Sequence, residues 1–264
     1  MTFDPIAERT EYTRELTKLK LWYVWWLGRN EDVDFDAAMQ SHVGIARMTS
    51  FWGDAANKSL ADPEGWQRVA DELRAVFAKH AGESSADEIE TEGLDLLWPY
   101  MASGVQKYVN HMQQWLKNAV GCFRYEFAPY YADKESGDHL TLHVSNAYQP
   151  DSPFEHVPEM VESLKEILKR SREERPDVDR AQCGSWLNSF PPFAGLFPPS
   201  WVEDARPGQP GGHAGWWGQF MNRRGGFHFG NARRLRKTGQ FPFRHLLSRC
   251  RTADLQDHLD HLDP

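Results

Sequence analysis

The residues best suited to chemistry are unevenly placed along this chain of 264 amino acids. Between Ala205 and Ala253 stand ten Lys or Arg and not one Asp or Glu, so that a chain of net charge −8 carries −18 on its remaining residues. A positive stretch on an acidic protein attracts an anion; the alternative is internal pairing with the acidic remainder. Within the stretch, Arg223-Arg224-Gly225-Gly226-Phe227-His228-Phe229-Gly230-Asn231, followed by Arg233 and Arg234, combines the residue types that hold phosphate or carboxylate. Glycine lets a backbone N–H approach a ligand, and arginine offers a planar fork of donors. The spacing matches neither GxxxxGK[ST] nor GxGxxG, and a Gly-Gly hairpin turn is the competing reading. Arg223, Arg224, Gly225, Gly226, Asn231, Arg233 and Arg234 are the expected anion-holding set, with His228 beside them as a catalytic candidate.

A second cluster lies in the middle of the chain. In His139-Leu140-Thr141-Leu142-His143-Val144 the polar and apolar residues alternate, as they do in Phe123-Arg124-Tyr125-Glu126-Phe127. Alternation predicts two strands of a hairpin, with His139, Thr141 and His143 on one face and Leu140, Leu142 and Val144 on the other. Two residues four apart on a strand are roughly 13 Å apart, so both histidines cannot bind one ion. No metal site is therefore assigned. What the pattern predicts is a polar sheet face joined by Glu126 and Arg124, on which His143, ahead of His139, serves as general base with Glu126 beside it. A solvated outer face is the alternative.

Composition narrows the classes further. Three widely spaced cysteines, Cys122, Cys183 and Cys250, without a CxxC pair, argue against a disulfide scaffold or structural zinc. The N-terminus lacks the order of a signal peptide, and the apolar cluster Leu21–Leu27 is too short to span a bilayer, which predicts a cytoplasmic protein without membrane contact. A pI near 5.8 and the lack of a known module weigh against nucleic acid. No Ser or Cys sits in a nucleophile-elbow context. Neither a cofactor nor an oligomeric state can be read.

The elements that must position these residues fall into two regions. Asp4-Pro5 and Gly28 bound a helix over about 5–27, whose Trp22-Tyr23-Val24-Trp25-Trp26 run predicts burial on several sides. Asp34 can cap a helix over 35–50, Asp62-Pro63 and Gly82 bound a third, and Ser85 with Glu88 starts a fourth that Pro99 interrupts or ends before a further helix reaches Gly121. From Cys122 the character changes: the hairpin, an amphipathic helix opened by Pro158, a strand at 183–187, a short Pro-bounded segment at 193–201, a Gly-Pro loop over 207–212 and a strand at 216–221. The expected fold class is α+β: a helical N-terminal layer of four to five helices over 1–121, then a mixed sheet of β-β-α-β-α-β order over 122–264, within one continuous domain or two.

That order resembles the central part of the GNAT-type acyltransferases over about 100 of the residues, in topology only. The resemblance implies acyl or another group transfer; the glycine-rich turn expected after the strand ending near Asn146 is replaced by Gln149-Pro150-Asp151-Ser152-Pro153-Phe154, which contains no glycine. The expected function is a small-molecule enzyme, transferase ahead of other classes, acting on a carboxylate- or phosphate-bearing partner. Two alternatives stand: a metal-dependent oxidoreductase or hydrolase with ligands drawn from Glu126, His139 or His143, His213 and His228, and a non-catalytic binding protein.

Overall fold

The computed structural model describes residues 3–53, 59–209 and 211–262, and the side chains of all of them except Lys134 and Ser136. Met1 and Thr2 of the leader reading, Pro210 of the Gly-Pro loop and the last two residues, Asp263 and Pro264, lie outside these. The described chain divides into two compact units, one of 1–111, 210–213 and 220–242, the other of 112–209, 214–219 and 243–264.

The first unit is built on helices. Helix α1 (Pro5–Asn30) starts where Asp4 accepts from the N–H groups of Ile6 and Ala7, an N-cap followed by proline at the first position. Its buried residues include the consecutive Leu19, Lys20, Leu21 and Trp22, which point in all directions from the axis, so neighbours enclose the helix as the aromatic run predicts. Helix α2 (Phe35–Ala37), capped by Asp34, continues as a π-turn (Ala38–Val43) and a 3-10 turn (Ile45–Met48). A single helix over 35–50 was expected; Gly44, at φ +55°, breaks it. Helix α3 (Pro63–Lys79) begins at Asp62, whose carboxylate accepts from Gly65 N–H.

Helix α4 (Asp87–Lys117) runs unbroken through Pro99, where an interruption was expected. Proline removes one helical hydrogen bond and crowds the preceding turn, at about 3 kcal/mol. Burial of Leu94, Leu97, Met101 and Val105 on either side outweighs that.

In the second unit, strands β1 (Phe123–Tyr130) and β2 (Asp133–Val144) form the expected antiparallel hairpin, longer than the alternation alone marks, in the register Phe123–Val144 to Pro129–Asp138. Helix α5 (Val157–Glu174) carries the chain to β3 (Arg180–Ser185), which pairs parallel to β2 through Leu140–Ala181 and Thr141–Gln182. Short helices α6 (Pro191–Ala194) and α7 (Pro199–Glu203) lead to β4 (Arg206–Pro207).

The strand expected at 216–221 is helical instead: α8 (Ala214–Trp217) followed by a 3-10 turn (Gly218–Phe220). Trp217 and Phe220 are buried at a spacing of three, not two, and the Gln219 amide donates back to the Trp216 carbonyl at 2.9 Å. Helix α9 (Phe229–Thr238) belongs to the first unit; β5 (Leu246–Arg251) and helix α10 (Thr252–His261) complete the second. The sheet order is β1-β2-β3-β5-β4. Its core face, with Leu140, Leu142, Ala181, Cys183 and Cys250, packs with Met160, Leu164 and Ile167 of α5 and Leu255 and Leu259 of α10 in one apolar cluster. Its other face is polar.

Candidate functional site

The polar face follows from strand alternation carried across four strands. Opposite Arg124 of β1 stands His143 of β2, opposite Glu126 stands Thr141, and Thr141, Gln182 and Arg249 form one cross-strand row from β2 to β5. Diagonal neighbours on adjacent strands are within reach of long side chains. His143 Nε2 lies 3.0 Å from Glu126 Oε1. A carboxylate can only accept, so the imidazole presents Nε2–H to Glu126 and keeps its Nδ1 lone pair for another partner. Both side chains are accessible, at 43% and 60% exposure. The guanidinium of Arg124 sits over the Trp115 ring at 5.6 Å.

One turn of the pleat away the same face is closed to solvent. Thr141 and Gln182 are fully buried. The Gln182 amide nitrogen donates to Thr141 Oγ1 (2.7 Å) and to the carbonyls of Pro129 (3.0 Å) and Ala128 (3.1 Å), while its oxygen accepts from Tyr131 N–H (3.1 Å). Those bonds draw the end of β1 across the sheet, where the β1–β2 register shifts between Pro129 and Tyr130. Under this cover His139, 4% exposed, donates from Nδ1 to the Gly137 carbonyl at 2.8 Å and stacks on Tyr130 at 5.5 Å. The guanidinium of Arg249 lies 4.5 Å over the same tyrosine ring. Among the described residues His139 Nε2, Tyr130 Oη and Arg249 Nε have no hydrogen-bond partner. His139 and His143 thus differ in kind: one is buried with its tautomer set by a carbonyl, the other is open and set by a carboxylate.

The basic segment lies mainly in the first unit and is organised by Asn222, whose Oδ1 accepts from Arg224 N–H (2.8 Å) and Gly226 N–H (3.1 Å), while its carbonyl accepts from Gly225 N–H. Gly225 takes φ +88°, and Met221 bridges Phe227, so the stretch is a hairpin-like turn whose inward N–H groups are already engaged. Arg224 pairs with Glu8 at 2.5 Å, and Arg236 forks onto Glu90 at 2.5 and 2.7 Å. Burial pushes the Glu90 carboxyl up, against the pull of Arg236. His228 Nδ1 accepts from Asn231 N–H at 3.1 Å and caps α9. Arg223, Arg233 and Arg234 stay exposed. The internal pairing left open by the sequence is realised at Arg224 and Arg236. Glu126 and His143 are brought together, and His228 is engaged separately in the other unit.

Among the described residues no three His, Cys, Asp or Glu side chains converge in a way that could hold a metal ion, and no helix is long and apolar enough to cross a membrane. A titratable residue that sequence reasoning passed over is Lys20, 2% exposed in the middle of α1. Burial, and then the positive charges of Arg47 and Arg9, push its amine down to about 7. The available signal was its place between Leu19 and Leu21-Trp22, in a helix whose aromatic run already predicted burial on several sides. Compared with known proteins, the chain matches no family model, no curated protein and no solved structure.

Proposed function

We propose that the second unit is a small-molecule group-transfer enzyme acting on a carboxylate- or phosphate-bearing substrate, with Glu126 and His143 as its acid–base pair. The 3.0 Å contact between these two side chains, from strands whose alternation placed them on one face, carries the reading. With Nε2–H held by the carboxylate, Nδ1 of His143 takes a proton from the attacking hydroxyl, amine or water, and Glu126 stabilises the imidazolium that results. Arg124, cross-strand from His143, supplies the charge that orients an anionic substrate. His143 stands one residue before the end of β2, and ligands of open sheets gather outside the carboxyl ends of parallel strands. Asn146 serves the adjoining loop, donating to the Asp151 carbonyl and accepting from Tyr148 N–H. The element order resembling acyltransferases favours acyl transfer within the class.

The test is thiol release from a panel of acyl thioesters in the presence of amines and hydroxy acids, followed across pH. His143→Gln should remove about 10²–10⁴-fold of the rate, while Glu126→Gln retains part of it. Full activity in both variants would refute the assignment. Loss of activity in His139→Gln with His143→Gln unchanged would move the base to the buried histidine of the same face.

A further inference from the structure

Three polar groups of the second unit meet on the covered part of the sheet face without serving the acid–base pair: Tyr130 at the end of β1, His139 of β2 and Arg249 of β5. Their contacts centre on the tyrosine, which is 1% exposed. The His139 imidazole stacks on its ring at 5.5 Å and 23°, and the Arg249 guanidinium lies 4.5 Å from the same ring. His139 Nε2, Tyr130 Oη and Arg249 Nε are all shut off from solvent, and among the described residues none has a hydrogen-bond partner. Asp204 Oδ2 stands 3.6 Å from Arg249 Nε, beyond hydrogen-bond distance, and its side chain is largely exposed. Buried polar groups left unpaired cost free energy, and three of them around one ring is a concentration that packing alone does not explain.

The segment that carries the tyrosine is suited to lifting. β1 is an edge strand, its register with β2 shifts between Pro129 and Tyr130, and the segment is tied across the sheet by the Gln182 side chain. The Tyr131 ring rests on Gly184 of β3, where a Cβ would meet it at 3.1 Å. Strand ends of this kind open locally while the rest of the fold stays closed. Lifting the Tyr130 ring returns its hydroxyl and His139 Nε2 to water and frees two recognition surfaces. One is an imidazole face already stacked on an aromatic ring; the other is a guanidinium, which can only donate and suits a carboxylate. We propose that Tyr130 is the plug of a second ligand site in this unit, displaced by a small aromatic acid whose ring stacks on His139 and whose carboxylate accepts from Arg249. Binding there requires neither Glu126 nor His143.

The intact protein is titrated with benzoate while the Tyr131 amide, which donates to Gln182 in the plugged form, is followed by NMR. Benzoate is expected to shift that amide and speed its hydrogen exchange. Its dissociation constant should be about tenfold below those of cyclohexanecarboxylate, which has no aromatic face, and benzamide, which has no charge. Arg249→Lys, which keeps the charge and loses the planar fork, should weaken benzoate binding and leave that of benzamide unchanged. Gln182→Leu should strengthen benzoate binding, because the end of β1 lifts more readily. Equal affinity for the three compounds would overturn the recognition. Benzoate binding that leaves the Tyr131 amide protected, or that is unchanged in Gln182→Leu, would overturn the plug. An unmoved Tyr131 amide in both wild type and Gln182→Leu would overturn the whole proposal.

Discussion

Helix α1 of the first unit and the β1–β2 face of the second each carry a titratable residue, with opposite results. Lys20 is 2% exposed and its amine is pushed down to about 7, whereas His143 is 43% exposed beside Glu126. A helix enclosed by neighbours has no solvent side, so a charge at its middle is desolvated whichever way it points. A strand of a sheet covered on one face has a solvent side by its period of two, and the polar set stays wet until another segment crosses it. Gln182 marks where that happens: beside it His139 and Thr141 are buried, whereas His143 and Glu126 stay exposed.

The largest effect expected from this contrast is in the pH dependence of stability. The folded-state pKa of Lys20, about 7, lies below its ordinary 10.5, so the unfolded chain binds more protons between these values and stability rises with pH through that window. From pH 7 to 9.5 the gain is about 3 kcal/mol, and in Lys20→Met, which has no amine to desolvate, it should vanish while stability at pH 7 increases. Urea denaturation of both proteins at the two pH values measures it. A wild-type slope retained in Lys20→Met would mean that other groups set it.

Next in size is Arg236→Ala, which leaves the Glu90 carboxylate, 8% exposed, without its forked partner and should lower stability by about 3 kcal/mol. Glu90→Gln added to it should recover much of the loss. An additive double variant would show that the two side chains act separately.

Within the second unit, Gln182→Leu should lower stability by about 2 kcal/mol, because Tyr131 N–H and two carbonyls lose a partner under cover, whereas Glu126→Gln should change it by less than about 1 kcal/mol. Thermal melts of the two variants make the comparison. Equal losses would mean that the exposed pair is as structural as the buried amide, and the catalytic reading of His143 would lose its basis.

Much of the frame was legible in the sequence because its determinants are local. Asp4-Pro5, Asp34 and Asp62-Pro63 mark helix starts through side chains that reach only the next three N–H groups, and all three caps are present. Alternation put Glu126 and His143 on one face, since strand geometry settles faces without reference to the rest of the chain. The same reasoning failed at Pro99, where burial on both sides carries the helix through, and at 216–221, where aromatic content suggested a strand and burial at a spacing of three made a helical turn.

By itself the sequence determined the capped helices, the hairpin with its apolar and polar faces, and the concentration of positive charge after Ala205. Only the tertiary structure decided which of those charges meet acids, as Arg224 meets Glu8 and Arg236 meets Glu90 across more than a hundred residues. It alone decided that the end of β1 turns over Gln182 and separates His139 from His143, and that Lys20 lies out of water. The reason is the same in each case: a cap or a strand face depends on residues within one turn or one pleat, while charge pairing and desolvation depend on whatever distant segments fold against them.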